Sequence, residues 1–407
     1  MGTFIKIAWR NIVRNGWRSL ITVSAVSIGL GALIFVRAFI EGGLEQMVAN
    51  YTDLISGHIK ISAKGFHRKL GLERSISDPA KIQDIISSNK GIRSFTKRVK
   101  EYVLISSDKK SSGVLILGID PVSEAKVTTI DEKVESGRFL SKGRNNEVLL
   151  GKDLCRILRA RLGDEIVIMG QGADGSLVAD IFILKGIIDS GIEEIDKYAA
   201  FITLETAQDL FVMGDKVSEF ILRTRDVFNT DVLERDIQGL LDMDKYEVMD
   251  WKRISPILLS MINFSTSVVT IILFVVLIVV VAGILNTLLM GVLERIREFG
   301  IMLAVGTRKN GIILMMAIES FILGITGAAG GICLGLLLVY YFGNAGIDMT
   351  KFGAALQLTY VSPVVYPKID IGQMIVSTCV VLVSSMLISI LPAWKAANLK
   401  PIEAIQY

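Results

Sequence analysis

Apolar residues in this 407-residue chain are gathered into four uncharged runs, at positions 19–36, 254–293, 320–347 and 371–394. Nothing else in the sequence constrains the fold as strongly. A helix needs about 20 apolar residues to cross a hydrocarbon core of about 30 Å. The runs therefore predict four spans, at 19–40, 256–293, 311–342 and 371–392. The charged block 41–255 becomes one large water-exposed domain inserted between the first and second. The fold class expected is an α-helical membrane protein with four transmembrane helices and a large α+β, two-lobed extracytoplasmic domain.

The second run is too long for its task, since 40 helical residues reach about 60 Å. Its N-terminal half carries Ser255, Pro256, Ser260, Asn263, Ser265, Thr266 and Ser267, so that half is the one expected to project from the bilayer. Leu258, Leu259, Met261, Ile262 and Phe264 then need a cover, either a second copy's helix or an apolar ligand in a cavity.

Flanking bases set the orientation. Lys6, Arg10, Arg14 and Arg18 precede the first span with no acid among them, Arg295, Arg297, Arg308 and Lys309 follow the second, and Lys395 and Lys400 follow the fourth. By the positive-inside rule, 1–18, 294–310 and 393–407 are cytoplasmic, while 41–255 and 343–370 lie outside a bacterial inner membrane. No small-x-small cleavage site closes the first run, which reads as a retained signal anchor. Residues 1–18 have the pattern of an interfacial amphipathic helix, with Phe4, Ile5, Ala8, Trp9, Ile12 and Val13 apolar and the bases on another face; its partner is lipid headgroups or a cytoplasmic protein. A net charge of +3 gives no sign of nucleic-acid binding. Of three cysteines only Cys155 falls in the outer block, so that block has no internal disulfide and depends on an ordinary core.

Within the block, strands are expected at 58–62, 102–106, 114–118, 147–150, 165–169, 178–188, 199–202, 219–223 and 246–249. Helices are expected at 79–88, 152–161, 204–213 and 230–241. Asp78 followed by Pro79 is a capped helix start. Gly172, Ala173, Asp174 and Gly175 between two strands form a hairpin turn, and its exposed tip is the candidate contact for a soluble carrier. His58 and His67 offer no zinc spacing, and His58 reads as a hydrogen-bonded strand residue. Gly327, Gly331 and Gly335, four apart in the third span, read as small residues for close helix packing. Glu319, an acid inside that span, reads as either a proton or ligand site or, the favoured reading, a structural carboxylate close enough to the cytoplasmic end to pair with Arg308 or Lys309.

Residues 293–309 read LERIREFGIMLAVGTRK, a charged amphipathic segment closed by a glycine, suited to docking in a groove on another protein. The segment resembles the coupling segment of ABC-transporter permeases of the MacB/FtsX superfamily, R-x-R-E-[IF]-G-[IL]-x-x-A-[IL]-G. It departs from many relatives at Leu303, where they carry Arg. The tail LPAWKAANLKPIEAI at 391–405 and the opening AWRNIVRN at 8–15 resemble the same family. In the outer block, SGHIKI at 56–61, LGIDP at 117–121 with Glu124, GRFL at 137–140, VLLGKDL at 148–154, LGD at 162–164 and LETAQ at 204–208 are similar, in order, to the lipoprotein-releasing LolC and LolE permeases.

The resemblance implies a non-catalytic permease that works with a second permease, a homodimer mate or a paralogue. A separate cytoplasmic ABC ATPase subunit would bind ATP and Mg, with no cofactor or metal on this chain. Glu294, Arg297, Glu298, Phe299, Gly300, Met302 and Gly306 would couple to that ATPase. The outer domain would release lipoproteins from the inner membrane to a periplasmic carrier, with Leu258, Leu259, Met261, Ile262 and Phe264 lining the cavity for acyl chains. A MacB-like efflux mechanotransmitter and an FtsX-like regulator of a cell-wall hydrolase are the alternatives. The chain holds no G-x-x-x-x-G-K-[ST] loop, so ATP hydrolysis is not expected of it.

Overall fold

The computed structural model describes residues 2–14, 16–352 and 360–398. In chain order its helices are α1 (Gly2–Arg14), α2 (Gly16–Tyr51), α3 (Pro79–Ser88), α4 (Pro121–Val127), α5 (Lys152–Leu158), α6 (Glu193–Tyr198), α7 (Leu204–Leu210), α8 (Asp231–Leu240), α9 (Trp251–Ile254), α10 (Pro256–Glu294), α11 (Ile296–Ala304), α12 (Lys309–Ala345) and α13 (Ile371–Ala397). The strands are β1 (Ile59–Ala63), β2 (Ile92–Ser106), β3 (Ser111–Ile119), β4 (Val134–Gly137), β5 (Glu147–Gly151), β6 (Glu165–Gln171), β7 (Leu177–Ile188), β8 (Ala199–Thr203), β9 (Glu219–Thr224), β10 (Tyr246–Asp250), β11 (Ile347–Asp348) and β12 (Val364–Val365). Contacts divide the chain into a helical unit, from Met1–Leu44, Met261–Met349 and Val364–Tyr407, and a mixed unit, from Glu45–Ser260 and Thr350–Pro363.

In the helical unit, α2, α10, α12 and α13 are long and apolar enough to cross a membrane. Helix α2 continues eleven residues beyond the expected span, α13 runs into the expected tail, and α11 occupies the middle of 294–310. The core is built at helical spacing, with Val26, Leu30 and Leu33 of α2 meeting Val280, Ile284 and Leu288 of α10 in one buried cluster. A Cβ added to Gly327, Gly331 or Gly335 of α12 would lie 2.6 Å from the Val26 Cβ, 2.8 Å from the Leu30 Cβ or 2.9 Å from the Ile34 Cβ. Only glycine allows α2 and α12 to approach this closely, and Ser27 Oγ uses the approach to donate to the Gly327 carbonyl at 2.9 Å. Helix α1 packs on α12 with Ala8 and Asn11 buried, while Trp9 and Val13 are exposed. Pro392, Ala393, Ala396 and Ala397 are buried, which explains the small residues of the tail motif; positions 399–405 of that motif lie outside the described residues.

The mixed unit is organised on one ten-stranded sheet, in the order β10-β1-β9-β2-β3-β8-β5-β7-β4, with β6 joined to both β2 and β7. The expected division into two lobes is thereby corrected. The 15-residue β2 pairs with β9, β3 and β6 along its length and ties both halves into a single sheet. One face of the sheet buries Val99, Val103, Ile105, Val114, Ile116, Ile166 and Ile168 under the helices of the unit. Sequence expectation missed the first half of β2, where Arg98 and Lys100 interrupt the apolar pattern. Arg98 is buried and Lys100 half-buried. Arg98 donates to Glu124 through two nitrogens, at 3.3 and 2.5 Å, and to the Ile55 carbonyl at 2.7 Å. Asp120 caps α4 by accepting from the Val122 and Ser123 amides, with Pro121 at the first helical position, which fixes Glu124 opposite Arg98. His58 accepts the Thr224 amide at 3.1 Å on Nδ1, as a buried strand histidine should.

Candidate functional site

The segment between α10 and α12 folds as a short helix held by charge at its start. Arg18 pairs with Glu294, Arg14 with Glu298 at 2.9 Å, and Arg295 with Glu298 at 2.8 Å. Burial opposes ionisation of Glu298, but hydrogen bonds from Arg295 and Arg14 outweigh it and hold the carboxyl below its ordinary range. Arg295 is buried, sits over the Phe299 ring at 5.2 Å and reaches Glu319 at 3.6 Å. That contact corrects the expected partner of Glu319. Lys309 begins α12, so Arg308 and Lys309 lie about 15 Å along the axis from Glu319, out of reach. Lys309 instead donates to Asn398 Oδ1 at 2.8 Å.

The expected coupling residues separate by burial. Phe299 and Gly300 face inward, Phe299 in the cluster that includes Ile312, Ala393 and Ala396, so neither is open to a partner. Met302 is half-buried. Arg297, Glu298 and Gly306 are exposed, with Gly306 in the left-handed region at φ +98° that ends the helix and favours glycine. Arg297 has no ion pair among the described residues, and Ile301 and Val305 follow it at one-turn spacing, Val305 82% exposed. Ile301 and Val305 are among the residues more apolar than a water-facing connector requires, which mark the segment for docking, and they stand outside the coupling set that the family resemblance implies. The resulting surface is an exposed cation followed by two apolar side chains on one helical face.

Of the five positions expected to line a cavity, Leu258 is fully buried and closed to a ligand. Leu258 and Leu259 belong to the mixed unit and Met261, Ile262 and Phe264 to the helical unit. Leu259 is exposed, Met261 and Ile262 are half-buried, and Phe264 is 70% exposed. Phe264, Ile271 and Ile278 recur every seven residues as exposed apolar side chains of α10.

The third expected site is the β6–β7 hairpin. Gly172 donates to the Ser176 carbonyl at 2.8 Å, Ala173 to the Phe211 carbonyl at 2.8 Å, and Gly175 takes φ +83°. The Ser176 hydroxyl and amide hold the Asp174 carboxyl below its ordinary range. Gly172 is buried and Ala173 half-buried, so the tip exposes only Asp174 and Gly175 of the expected four. Leu177, 89% exposed, is the apolar group there that the turn signal did not reveal.

Two family models account for the chain in the same order as these elements. A MacB-like periplasmic core domain matches residues 19–240, and an FtsX-like permease C-terminal matches residues 270–401. This chain is an ABC-transporter permease of the MacB/FtsX family. The permease is 23% identical to the lipoprotein-releasing system transmembrane protein LolC of Neisseria meningitidis serogroup B, over 97% of its own length and 96% of that protein's. It is 24% identical to the uncharacterized ABC transporter permease YknZ of Bacillus subtilis, over 99% and 98% of the two chains. With the macrolide export ATP-binding/permease protein MacB of Rhodospirillum rubrum it shares 24% identity over 99% of its length, which spans 60% of that longer protein.

Proposed function

We propose that this permease transmits ATP-driven motion from a separate cytoplasmic ATPase subunit to the mixed unit, and that the motion releases lipoproteins from the inner membrane to a periplasmic carrier. The observation that carries the reading is α11, an ion-paired helix whose exposed face presents Arg297, Ile301 and Val305. A rigid helix with one cation and two apolar anchors suits a groove on a moving partner. Both termini and α11 are cytoplasmic in this reading, consistent with the bases beside them. The exposed stripe of α10, Phe264, Ile271 and Ile278, would meet a second permease or close around acyl chains. Similarity to LolC over nearly the whole of both chains favours lipoprotein as the cargo.

Purification from native membranes, with mass spectrometry of what co-purifies, tests this directly. An ATPase together with lipoproteins or a soluble carrier supports it; a permease that arrives without any ATPase overturns it. Efflux of the MacB kind is the second reading, favoured by comparable identity to MacB over 99% of this chain. Recovery of an outer-membrane duct in place of lipoprotein would select it.

A further inference from the structure

The face of the sheet opposite the main core is not fully covered. Between β2, β3, β8 and α6 it forms a cavity of about 400 Å³, within the range of small-molecule sites, about 300–1,000 Å³. Strand register sets its floor: Lys100 lies opposite Leu117, and Leu117 opposite Phe201, while Tyr102 lies opposite Leu115, and Leu115 opposite Ala199. Arg98, Glu124, Glu194 and Tyr102 also line the cavity, and in these two strand rows the floor carries charge at one position.

That position is a lysine short of partners. Arg98 beside it is satisfied by Glu124 and a carbonyl, and Lys60 lies 3.5 Å from Glu219. Among the described residues the ammonium of Lys100 has a single carboxylate partner, Glu219, 3.9 Å away and beyond hydrogen-bond reach. Its side chain is 20% exposed, and burial pushes its pKa down. Glu194, exposed on α6, also lines the cavity and adds a third carboxylate to Glu124 and Glu219; it accepts from the Tyr360 hydroxyl at 2.9 Å and acts on Lys100 only through its longer-range charge, so the Lys100 ammonium still has no acceptor within hydrogen-bond reach. The apolar floor does not end at the cavity. The next row, Leu104, Met169 and Ala179, continues it onto the β6–β7 hairpin, with Leu104 and Ala179 exposed.

We propose that this cavity binds a single-chain anionic amphiphile, its carboxylate or phosphate on the Lys100 ammonium and its alkyl chain along the apolar face of β3 and β8. The unfilled acceptor position at Lys100 selects the anion: a hydroxyl head group offers the ammonium one neutral acceptor and no charge, whereas a carboxylate or phosphate supplies a charge-assisted hydrogen bond. The site stands on the mixed unit alone and does not depend on the transport reading.

The test uses the full permease in phosphatidylcholine nanodiscs, photolabelled with a diazirine-bearing hexadecanoic acid and mapped by mass spectrometry. Adducts are expected on Ser111–Ile119 and Ala199–Thr203. Hexadecanoate and lysophosphatidate should displace the label, the lower effective concentration identifying the head group, and hexadecanol should not. Lys100→Met should cut labelling about tenfold, the loss of one charge-assisted contact, with Lys100→Arg retaining most of it. Leu115→Trp, which fills the floor and leaves the charges in place, should reduce labelling similarly and decides the matter if Lys100→Met fails to fold. Adducts confined to α10, α12 and α13, equal displacement by hexadecanol, or undiminished labelling in folded Leu115→Trp would each overturn the proposal.

Discussion

At the scale of residues, the mixed unit depends on charges it buries. Burial alone would raise the Glu219 carboxyl, but Lys100, Lys60 and Arg98 outweigh it and hold it at about 2, against an ordinary 4.5. A depressed carboxylate stabilises the fold fully above its ordinary value and loses that contribution as pH falls from 4.5 toward 2. Unfolding midpoints should therefore drop across that acid window in the wild type and be flatter there in Glu219→Gln. Arg98→Met leaves Glu124 buried and unpaired, and should cost about 3–5 kcal/mol in chemical denaturation. Cys155 gives a sharper readout, since burial pushes its thiol up to about 12. Maleimide at pH 8 should spare Cys155 in the folded protein and modify it after denaturation, as peptide mapping would show; rapid labelling of the native state would contradict its packing. None of these interior charges could be assigned from sequence, because Arg98 and Lys100 look like solvent residues until β9 and α4 supply their partners.

At the scale of elements, two helices carry separable tasks. On α11 the exposed face is Arg297, Ile301 and Val305, while Phe299 and Gly300 hold the helix to the unit beneath it. Arg297→Glu should uncouple ATPase stimulation by at least about tenfold, the effect of reversing one close charge contact, with little change in thermal stability. Phe299→Ala should instead destabilise, by about 3–5 kcal/mol if the site cannot collapse. On α12 the glycines admit α2, so Gly331→Leu overpacks against Leu30 and should cost about 1–3 kcal/mol, measured by unfolding in detergent. The three-glycine spacing was legible in sequence because closeness between apolar helices has few chemical solutions. The inward turn of Phe299 was not, since an amphipathic segment shows two faces without showing which one packs.

At the scale of the molecule, the transport reading predicts that proteoliposomes holding the permease and its ATPase release a bound lipoprotein to a soluble carrier on ATP addition. Asp174→Lys or Leu177→Asp on the hairpin should reduce that transfer several-fold and leave ATPase activity intact; an unchanged transfer would remove the hairpin from the carrier contact. Hydropathy alone placed four membrane-length helices and the large polar block, because a run of about 20 uncharged residues has few soluble alternatives. Local chemistry also placed most strands, the capped start of α3 and the β6–β7 turn. Only tertiary structure joined the expected two lobes into one sheet through β2, gave Glu319 the Arg295 partner, and closed Leu258 and Gly172 to solvent. Periodicity reports the faces an element has, whereas burial and charge pairing depend on which distant element meets each face.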